Sequence, residues 1–445
     1  MSEFKEKILL NAIFPLADTI MGTCAMKWYR QIKEMNTWSK DQIYEWQLDK
    51  LHSLVDFSYN HTAYYKKVFD ESGLSPADIR DFADLEKLPV LTREIINDNF
   101  DDIKPDVISK YKHRVNSTSG SSGTPLKFIC GEETWGFVTG MKIYSWQQMG
   151  YHYGDLFVTL TSAVGLFANG KPSLTSKIYF RLRNTIPLNG VNMSPEICSN
   201  YMDIIKKYRP KYIYGYASAI YLFACYCKEN NINYHFDAVF TTSEKLVDNY
   251  RNVIEHVFST TVMDCYGSRD GAVTGYEVNR GSYNVGYAAY LEASSEMFSP
   301  VYSTNLIDYA FPLIRYSNRD ELQMMPNDKI TQYNGQVISD VVGRTSDILH
   351  FANGHSIAPT GFCMIFRGMH VDSFRVKQTG DMTVLFELVT KQGYNENEEK
   401  VLREALKKHI GNDVEITFKY MSNFEPLKNG KRSFIMNDTS IGAQN

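Results

Sequence analysis

Residues 194–218, SPEICSNYMDIIKKYRPKYIYGYAS, contain the start of a helix, its end and the strand that follows. Ser194 followed by Pro195 is typical of a helix N-terminus, because a serine hydroxyl can cap free backbone N–H groups and proline fits the first helical position. Apolar residues then recur at helical spacing, at Ile197, Tyr201, Ile204, Ile205 and Tyr208. Pro210 ends this helix, and residues 212–214 predict a short strand after it.

The same alternation of helix and strand continues downstream. Ser218 is the predicted cap of a second helix, and residues 238–241 predict the next strand. A further helix is predicted through residues 247–257, and residues 262–265 close the series as a strand. Because crossover helices place successive strands side by side and parallel, this pattern predicts an α/β fold with a parallel sheet.

The carboxyl ends of these strands are the expected place for a ligand, as in other open parallel sheets. They are followed by the loops 215–218, 242–245 and 266–270, which are rich in aromatic, hydroxyl and charged side chains. We therefore predict a binding site at this edge of the sheet.

The flanking segments have different patterns. Residues 1–110 are predicted to be mostly helical, and a strand at 126–129 and a helix at 132–149 follow. Near the carboxyl end, strands at 374–377 and 384–388 flank a hairpin turn at 379–381, a helix runs from 398 to 409 before Gly411, and a strand passes through 414–420. This order predicts a small, separate α+β domain that begins near residues 343–347.

Composition limits the class of protein. A chain of 445 residues exceeds what one core supports, and 43% hydrophobic with 22% charged residues is typical of a globular protein. The net charge of −4 gives no basic surplus, so we predict no nucleic-acid partner. Seven scattered cysteines indicate reduced thiols and a cytoplasmic protein. The apolar run at 8–29 is interrupted by polar residues, so we predict no transmembrane segment but a packed helix, with contact to a membrane surface as the alternative.

The segment 117–127, STSGSSGTPLK, is dense in serine, threonine and glycine. Its backbone N–H groups and hydroxyls could surround phosphate oxygens. It lacks the Gly-Lys-Ser/Thr ending of a P-loop and leads into a strand, which argues against a kinase-like or GTPase protein. From the residues alone, a flexible surface turn is the alternative.

The sequence TSGSSGTPL at 118–126 resembles the phosphate-loop signature of adenylate-forming enzymes of the phenylacetate–CoA ligase-like group, and most of all its capsular-polysaccharide-biosynthesis members. Similar motifs follow in the family's order over about residues 85–435: YGSRD at 266–270, FPLIRYSNRD at 311–320, GRTSDIL at 343–349 and LKNGKRSF at 427–434. The resemblance implies a large, multi-layer amino-terminal adenylation domain, residues 1–345, and a small, mobile carboxyl-terminal lid domain, residues 346–445.

The resemblance also implies an ATP site. The loop residues that would hold the β- and γ-phosphates are Ser117, Thr118, Ser119, Gly120, Ser121, Ser122, Gly123 and Thr124. The residues expected around the adenine are Ser243, Glu244 and Lys245 on one side, and Tyr266, Gly267 and Ser268 on the other, with Tyr266 stacked on the ring. Asp320 would accept hydrogen bonds from the ribose hydroxyls.

Four further positions complete the site that the resemblance implies. Asp270 stands where the family usually has a magnesium-binding glutamate, and it keeps the oxygen ligand while shortening its reach. Arg344 would lie near the ribose and phosphate, and Asp347 would be the hinge of the lid. Lys431, after Gly430, matches the catalytic lysine that the lid brings to the α-phosphate.

The implied reaction is ATP-dependent activation of a small carboxylic acid to acyl-AMP with Mg²⁺, followed by transfer to coenzyme A. The acid is expected near Tyr214, Tyr216 and Ala217. Two alternatives stay open: transfer of the acyl group to an amine in surface-polysaccharide biosynthesis, and a non-catalytic, nucleotide-binding relative.

Overall fold

The computed structural model describes residues 8–21, 23–117, 126–161, 174–191, 193–268, 273–341, 349–357, 362, 365–366, 369–422 and 435–437. They form two compact units. The first contains the described residues of 1–117, 126–154 and 263–343, and the second contains those of 155–262 and 344–445.

The amino-terminal part of the first unit is helical, as predicted. Its helices are α1 (Phe14–Met21), α2 (Ala25–Met35), α3 (Lys40–His61), α4 (Ala63–Ser72), α5 (Arg93–Asp98) and α6 (Phe100–Ile103), with a π-helix at Leu9–Ile13 and 3₁₀ turns at Pro76–Asp78, Phe82–Lys87 and Ile108–Lys110. Ser39 and Gln42 begin α3 with a reciprocal pair of side-chain to backbone hydrogen bonds. Within the described ranges, no helix combines the length and the hydrophobicity that a membrane crossing requires.

The strands and helices that follow alternate along the chain. They are β1 (His113–Ser117), β2 (Lys127–Gly131), α7 (Glu132–Gln147), β3 (Phe157–Thr161), α8 (Leu174–Leu182), β4 (Thr185–Asn189), α9 (Pro195–Tyr208), β5 (Tyr212–Tyr216), α10 (Ala217–Glu229), β6 (Ala238–Thr242), α11 (Asp248–Phe258) and β7 (Val262–Ser268). The elements predicted between residues 126 and 265 are thus all present, with ends that shift by up to three residues.

Antiparallel strands then complete the first unit. They are β8 (Val273–Asn279), β9 (Ser282–Val285), β10 (Ala289–Glu292), β11 (Ser299–Asn305), β12 (Tyr316–Met324) and β13 (Val337–Val341), with a 3₁₀ turn at Asn327–Lys329. The strand order in this unit is β10-β11-β12-β13-β9-β8-β7, with antiparallel neighbours throughout. These antiparallel strands were not predicted from the sequence. Their core is formed by buried residues that include Val285, Leu291, Val301, Leu322 and Ile338.

The second unit contains a parallel sheet with the strand order β6-β5-β3-β4, in which β5 and β6 were predicted and β3 and β4 were not. Ser194 caps α9 by accepting a hydrogen bond from the backbone N–H of Ile197, as predicted. The prediction that Ser218 caps α10 is wrong, because β5 runs directly into the helix and places Ser218 within its first turn. The Ser218 backbone N–H donates instead to Glu244 Oε2 at 2.9 Å.

The carboxyl-terminal part of the second unit is an α+β structure, as predicted. Its elements are β14 (Leu349–His350), β15 (Ser356–Ile357), β16 (Val371–Gly380), β17 (Thr383–Thr390), α12 (Glu396–Ile410), β18 (Glu415–Tyr420) and β19 (Ile435–Asn437). The β16–β17 hairpin is flanked by β18 and β19, each parallel to its neighbour. Gly411, with φ +103°, follows α12 directly and permits the sharp change of direction there. The domain boundary between residues 345 and 346 stays a prediction.

Candidate active site

Tyr266 and Asp320, predicted from separate motifs, are in contact. The Tyr266 hydroxyl donates a hydrogen bond to Asp320 Oδ2 at 3.1 Å. Tyr266 lies in β7 and Asp320 in β12, so the fold of the first unit joins residues that are 54 positions apart in the sequence. The half-buried tyrosine ring packs against the apolar core of this unit, with its centroid 6.3 Å from that of Tyr283. This packing fixes the position of the ring.

An irregularity in β12 presents Asp320 at this position. Ser317 pairs with Tyr302 and Glu321 with Pro300, so residues 318–320 lie opposite a single residue of β11. Arg319, in the middle of this bulge, has the left-handed φ of +67°. Bulges of this kind redirect side chains and are frequent next to active sites.

Asn318, which was not predicted from the sequence, contacts both Tyr266 and Asp320. Its Oδ1 accepts a hydrogen bond from the backbone N–H of Asp320 at 2.9 Å. Its Nδ2 donates to Asp320 Oδ2 at 3.1 Å and to the Tyr266 hydroxyl at 3.3 Å. The signal in the sequence is the Asn-Arg-Asp order, because an asparagine often bonds the backbone two residues ahead.

An ion pair between buried Arg315 and half-buried Glu292 holds the start of the same motif. Arg315 Nε donates to the Glu292 carboxylate at 2.9 Å, and Arg315 Nη1 donates to the carbonyl of Leu88 at 2.6 Å. Burial raises the pKa of Glu292, and the neighbouring guanidinium opposes that effect. The backbone of Leu91 also bonds this motif, accepting from the Ser317 N–H and donating to the Arg315 carbonyl. The strand that carries Asp320 is therefore fixed at its beginning.

The predicted phosphate loop connects two paired strands. Thr118–Thr124 lie outside the described residues, as does the side chain of Ser117. Ser117 at the end of β1 pairs with Lys127 at the start of β2. The Lys127 backbone N–H donates to Asn97 Oδ1 at 3.1 Å. The loop thus starts and ends on one hairpin, and it leads into a strand as predicted.

Asp308 holds the far end of β2. Its Oδ2 accepts from the Gly131 N–H and from Thr134 Oγ1, both at 2.9 Å, and its Oδ1 accepts from the Ala310 N–H at 3.0 Å. A Cβ on Gly131 would lie 2.6 Å from Asp308 Oδ1, so only glycine permits this approach. Burial raises the pKa of Asp308, and these hydrogen bonds act against the increase. One carboxylate therefore connects the strand after the phosphate loop to the segment before Asp320.

Replacing Asp308 with alanine is expected to lower the free energy of unfolding by about 3 kcal/mol, since the substitution leaves buried donors without an acceptor. Urea denaturation followed by tryptophan fluorescence measures the effect. Asp328→Ala removes an exposed aspartate from the same unit and should change the value by less than about 0.5 kcal/mol. Equal urea midpoints for the Asp308 variant and the wild type would contradict this role.

The predicted residues 243–245 follow β6 in the second unit. Ser243 is exposed and has a φ of +70°, a conformation that non-glycine residues rarely adopt outside turns and functional sites. Glu244 bonds the first turn of α10 through the Ser218 N–H, and Lys245 is half-buried beside it. Because β5 and β6 are parallel neighbours, their carboxyl ends share one edge of the sheet, as predicted. The prediction of a loop at 215–218 is wrong, because these residues form the end of β5 and the first turn of α10.

The predicted acid-binding residues lie at the end of β5. Tyr214 and Tyr216 are half-buried, and Ala217 is fully buried in the core of the second unit. In the first unit, exposed Gly267 and half-buried Ser268 follow Tyr266 at the end of β7. Asp270, Arg344, Asp347 and Lys431 lie outside the described residues. The part of the chain that the structure describes has no group of three or more His, Cys, Asp or Glu side chains arranged to hold a metal ion.

Comparisons with known proteins agree with this architecture. Residues 349–438 match the family described as the CapK C-terminal domain. Over 425 residues the chain is 21% identical to protein CapK of Staphylococcus aureus, with 92% of each chain covered. It is also 24% identical over 347 residues to the phenylacetate–coenzyme A ligase of Pseudomonas putida, covering 73% of this chain and 76% of that one. The chain is a homologue of CapK and of the phenylacetate–CoA ligases.

Comparison with solved structures extends the likeness to the fold. 2-Hydroxyisobutyryl-CoA ligase, in complex with 2-HIB-AMP and CoA, matches with a TM-score of 0.60 at 15% identity, over 89% of this chain and 90% of that chain. The same ligase in its postadenylation state matches with a TM-score of 0.56 at 16% identity, over 90% of each chain. The chain therefore has the fold of the adenylate-forming acyl-CoA ligases, as predicted.

Proposed function

We propose that this protein uses ATP to activate a carboxylic acid as acyl-AMP, releasing pyrophosphate, and then transfers the acyl group to coenzyme A. The observation that carries the proposal is the contact between Tyr266 and Asp320. This contact brings together an aromatic ring, which can stack on adenine, and a carboxylate, which can accept hydrogen bonds from the ribose hydroxyls. Homology to the phenylacetate–CoA ligases supports the choice of coenzyme A as acceptor.

In the proposed reaction a carboxylate oxygen of the acid attacks the α-phosphorus of ATP, and the bond to the bridging oxygen of pyrophosphate breaks. The chain supplies position and charge rather than a covalent nucleophile. Residues 117–124 would hold the β- and γ-phosphates, and Arg344 would lie near the ribose and phosphate. Lys431 would offset the charge that grows on the α-phosphate oxygens.

In the proposed site Asp270 would hold Mg²⁺. Asp270 offers one hard oxygen ligand, and Mg²⁺ commonly completes its coordination with phosphate oxygens and water. When bound, Mg²⁺ would neutralise part of the negative charge of the phosphates. The protein's own part at this position would be to hold and orient the ion through Asp270.

The proposed adenine contacts are Tyr266, Gly267 and Ser268, and residues 243–245. The left-handed backbone of Ser243 supports this assignment, because strained backbone is frequent at ligand sites. The acid would bind near Tyr214, Tyr216 and Ala217. Asp347 would be the hinge about which the lid, residues 346–445, exchanges its catalytic face for one that admits the acceptor.

A second candidate function shares the activation step but passes the acyl group to an amine in surface-polysaccharide biosynthesis. It is favoured by the match of residues 349–438 to the CapK C-terminal domain, since these residues form most of the proposed lid. The identity to CapK over 92% of both chains points the same way. In either case we propose a cytoplasmic enzyme.

Pyrophosphate–ATP exchange tests the activation step. A panel of acids that includes phenylacetate and 2-hydroxyisobutyrate is supplied with ATP and Mg²⁺, and we expect exchange with at least one of them. Mass spectrometry after addition of coenzyme A should then find an acyl thioester. Free AMP and amide products with an amine acceptor, without a thioester, would favour the second candidate. ATP binding without exchange for any acid would overturn both and leave a non-catalytic nucleotide-binding relative.

A further inference from the structure

We propose that Asn318 is a positioning residue of the nucleotide site, which sets the orientation of both Tyr266 and Asp320 toward the bound nucleoside. The inference rests on the proposed function and deepens it by adding a residue between its two nucleoside contacts. Asn318 is 4% exposed, and it contacts both partners at hydrogen-bond distance.

The orientation of the Asn318 amide follows from its hydrogen bonds. Because Oδ1 accepts from the Asp320 backbone N–H, Nδ2 must point to the other side of the amide. There it reaches Asp320 Oδ2 and the Tyr266 hydroxyl. The hydroxyl accepts from Asn318 and donates its own proton to the same Oδ2. The result is a closed ring of hydrogen bonds among three side chains.

This ring of hydrogen bonds fixes the orientation of the Asp320 carboxylate. Two donors hold Oδ2, and a carboxylate held at one oxygen by two donors has little freedom to rotate. The bulge at 318–320 and the left-handed backbone of Arg319 maintain the turn that brings the Asn318 side chain to Asp320. Arg319 itself forms an ion pair with Glu94 of α5, which holds the bulge from outside. Preorganisation of this kind increases affinity without any contact between Asn318 and the ligand.

Two substitutions separate this role from simple packing. Asn318→Leu keeps the volume but removes every polar contact, and it should weaken ATP affinity about tenfold, the size expected for a hydrogen bond to a charged group. Asn318→Asp keeps the shape but puts a second carboxyl group against Asp320. Two carboxyl groups at this distance share a proton, so the pKa of one of them rises.

The pH dependence of the Asn318→Asp variant is therefore diagnostic. At pH 8 the two negative charges repel, and ATP affinity relative to wild type at that pH should fall about a hundredfold. At pH 6 the introduced group, when protonated, can donate to Asp320 again, and the loss should shrink to about tenfold or less. Among the described residues, the titratable and charged groups around the pair include Tyr266, the Arg319–Glu94 ion pair and, beyond Tyr266, Tyr283 with Asp264.

Calorimetry with ATP and Mg²⁺ on the full-length chain measures these affinities at both pH values. Pyrophosphate exchange should show a higher KM for ATP with kcat changed less than about threefold. Ser317→Ala, at the preceding residue, is the matched control. Its hydroxyl makes no hydrogen bond within the described ranges, so the control should bind ATP as the wild type does. Circular dichroism checks that each variant is folded.

The outcomes are distinct. Wild-type affinity in both Asn318 variants, or a loss in Asn318→Asp that does not depend on pH, would overturn this inference and leave the proposed function intact. Failure of the wild-type chain to bind ATP would overturn the proposed function and this inference with it. If Asn318→Leu does not fold, the pH comparison in Asn318→Asp alone decides.

Discussion

Replacing Lys431 with alanine is expected to lower the rate of adenylate formation by about 10²–10³-fold while ATP affinity stays close to the wild-type value. The magnitude is that of removing one preorganised group which stabilises charge in a transition state. The proposed role of Lys431 is to neutralise negative charge on the α-phosphate as the acid attacks. That charge grows only during the reaction, so the ground-state complex with ATP should lose little.

The measurement is pyrophosphate exchange at saturating ATP, combined with calorimetry for ATP. Lys428→Ala removes a lysine from the same motif, LKNGKRSF, and serves as the matched control with unchanged exchange. An exchange rate in the Lys431 variant equal to that of the wild type would remove this lysine from the mechanism. A rate that falls together with ATP affinity would indicate a binding role instead.

Replacing Asp320 with alanine should weaken ATP binding itself, by roughly a hundredfold. Two losses combine: the ribose hydroxyls lose a charged acceptor, and the Asn318 amide and the Tyr266 hydroxyl lose the oxygen that holds them. Hydrogen bonds to a charged group contribute about 1.5–3 kcal/mol each, and 1.4 kcal/mol corresponds to a tenfold change in affinity. Asp320→Asn, which keeps one oxygen acceptor, should lose less.

Calorimetry with ATP gives the affinities directly, and with AMP it tests whether the loss lies in the nucleoside. Glu321→Ala is the matched control, because Glu321 is the exposed neighbouring carboxylate on the same strand. Native affinity for both nucleotides in the Asp320→Ala variant would count against the ribose role. A loss for ATP but not for AMP would move Asp320 toward the phosphates.

Local patterns in the sequence predicted the local structure well. The helix that begins at Pro195 and the strand at 212–216 are encoded by a cap, a proline and apolar spacing within one short stretch. Ser218 shows the limit of this reasoning. Serine is a good cap, but whether it acts as one depends on where the preceding strand ends, and β5 continues to Tyr216.

Contacts between distant residues were beyond the sequence analysis. Among the antiparallel strands from β8 to β13, β8 and β9 form a hairpin, whereas β9 and β13 are distant in the sequence and pair Asn284 with Val337. No helical repeat marks these strands. Asp308 and Gly131 are 177 positions apart, and nothing near either residue indicates the other. The family motifs identified Tyr266 and Asp320. Asn318 lies in the bulge of β12, and this bulge is defined by the pairing of β12 with β11, which the sequence does not show.

The Asp308 carboxylate has a consequence for the motions of the first unit. The amides of Gly131 and Ala310 donate to its two oxygens, so neither amide can open to solvent without disturbing the group that holds the other. Their hydrogen–deuterium exchange should therefore follow a common opening event, with similar rates. The end of β2 and the segment that precedes β12 should then open and close together.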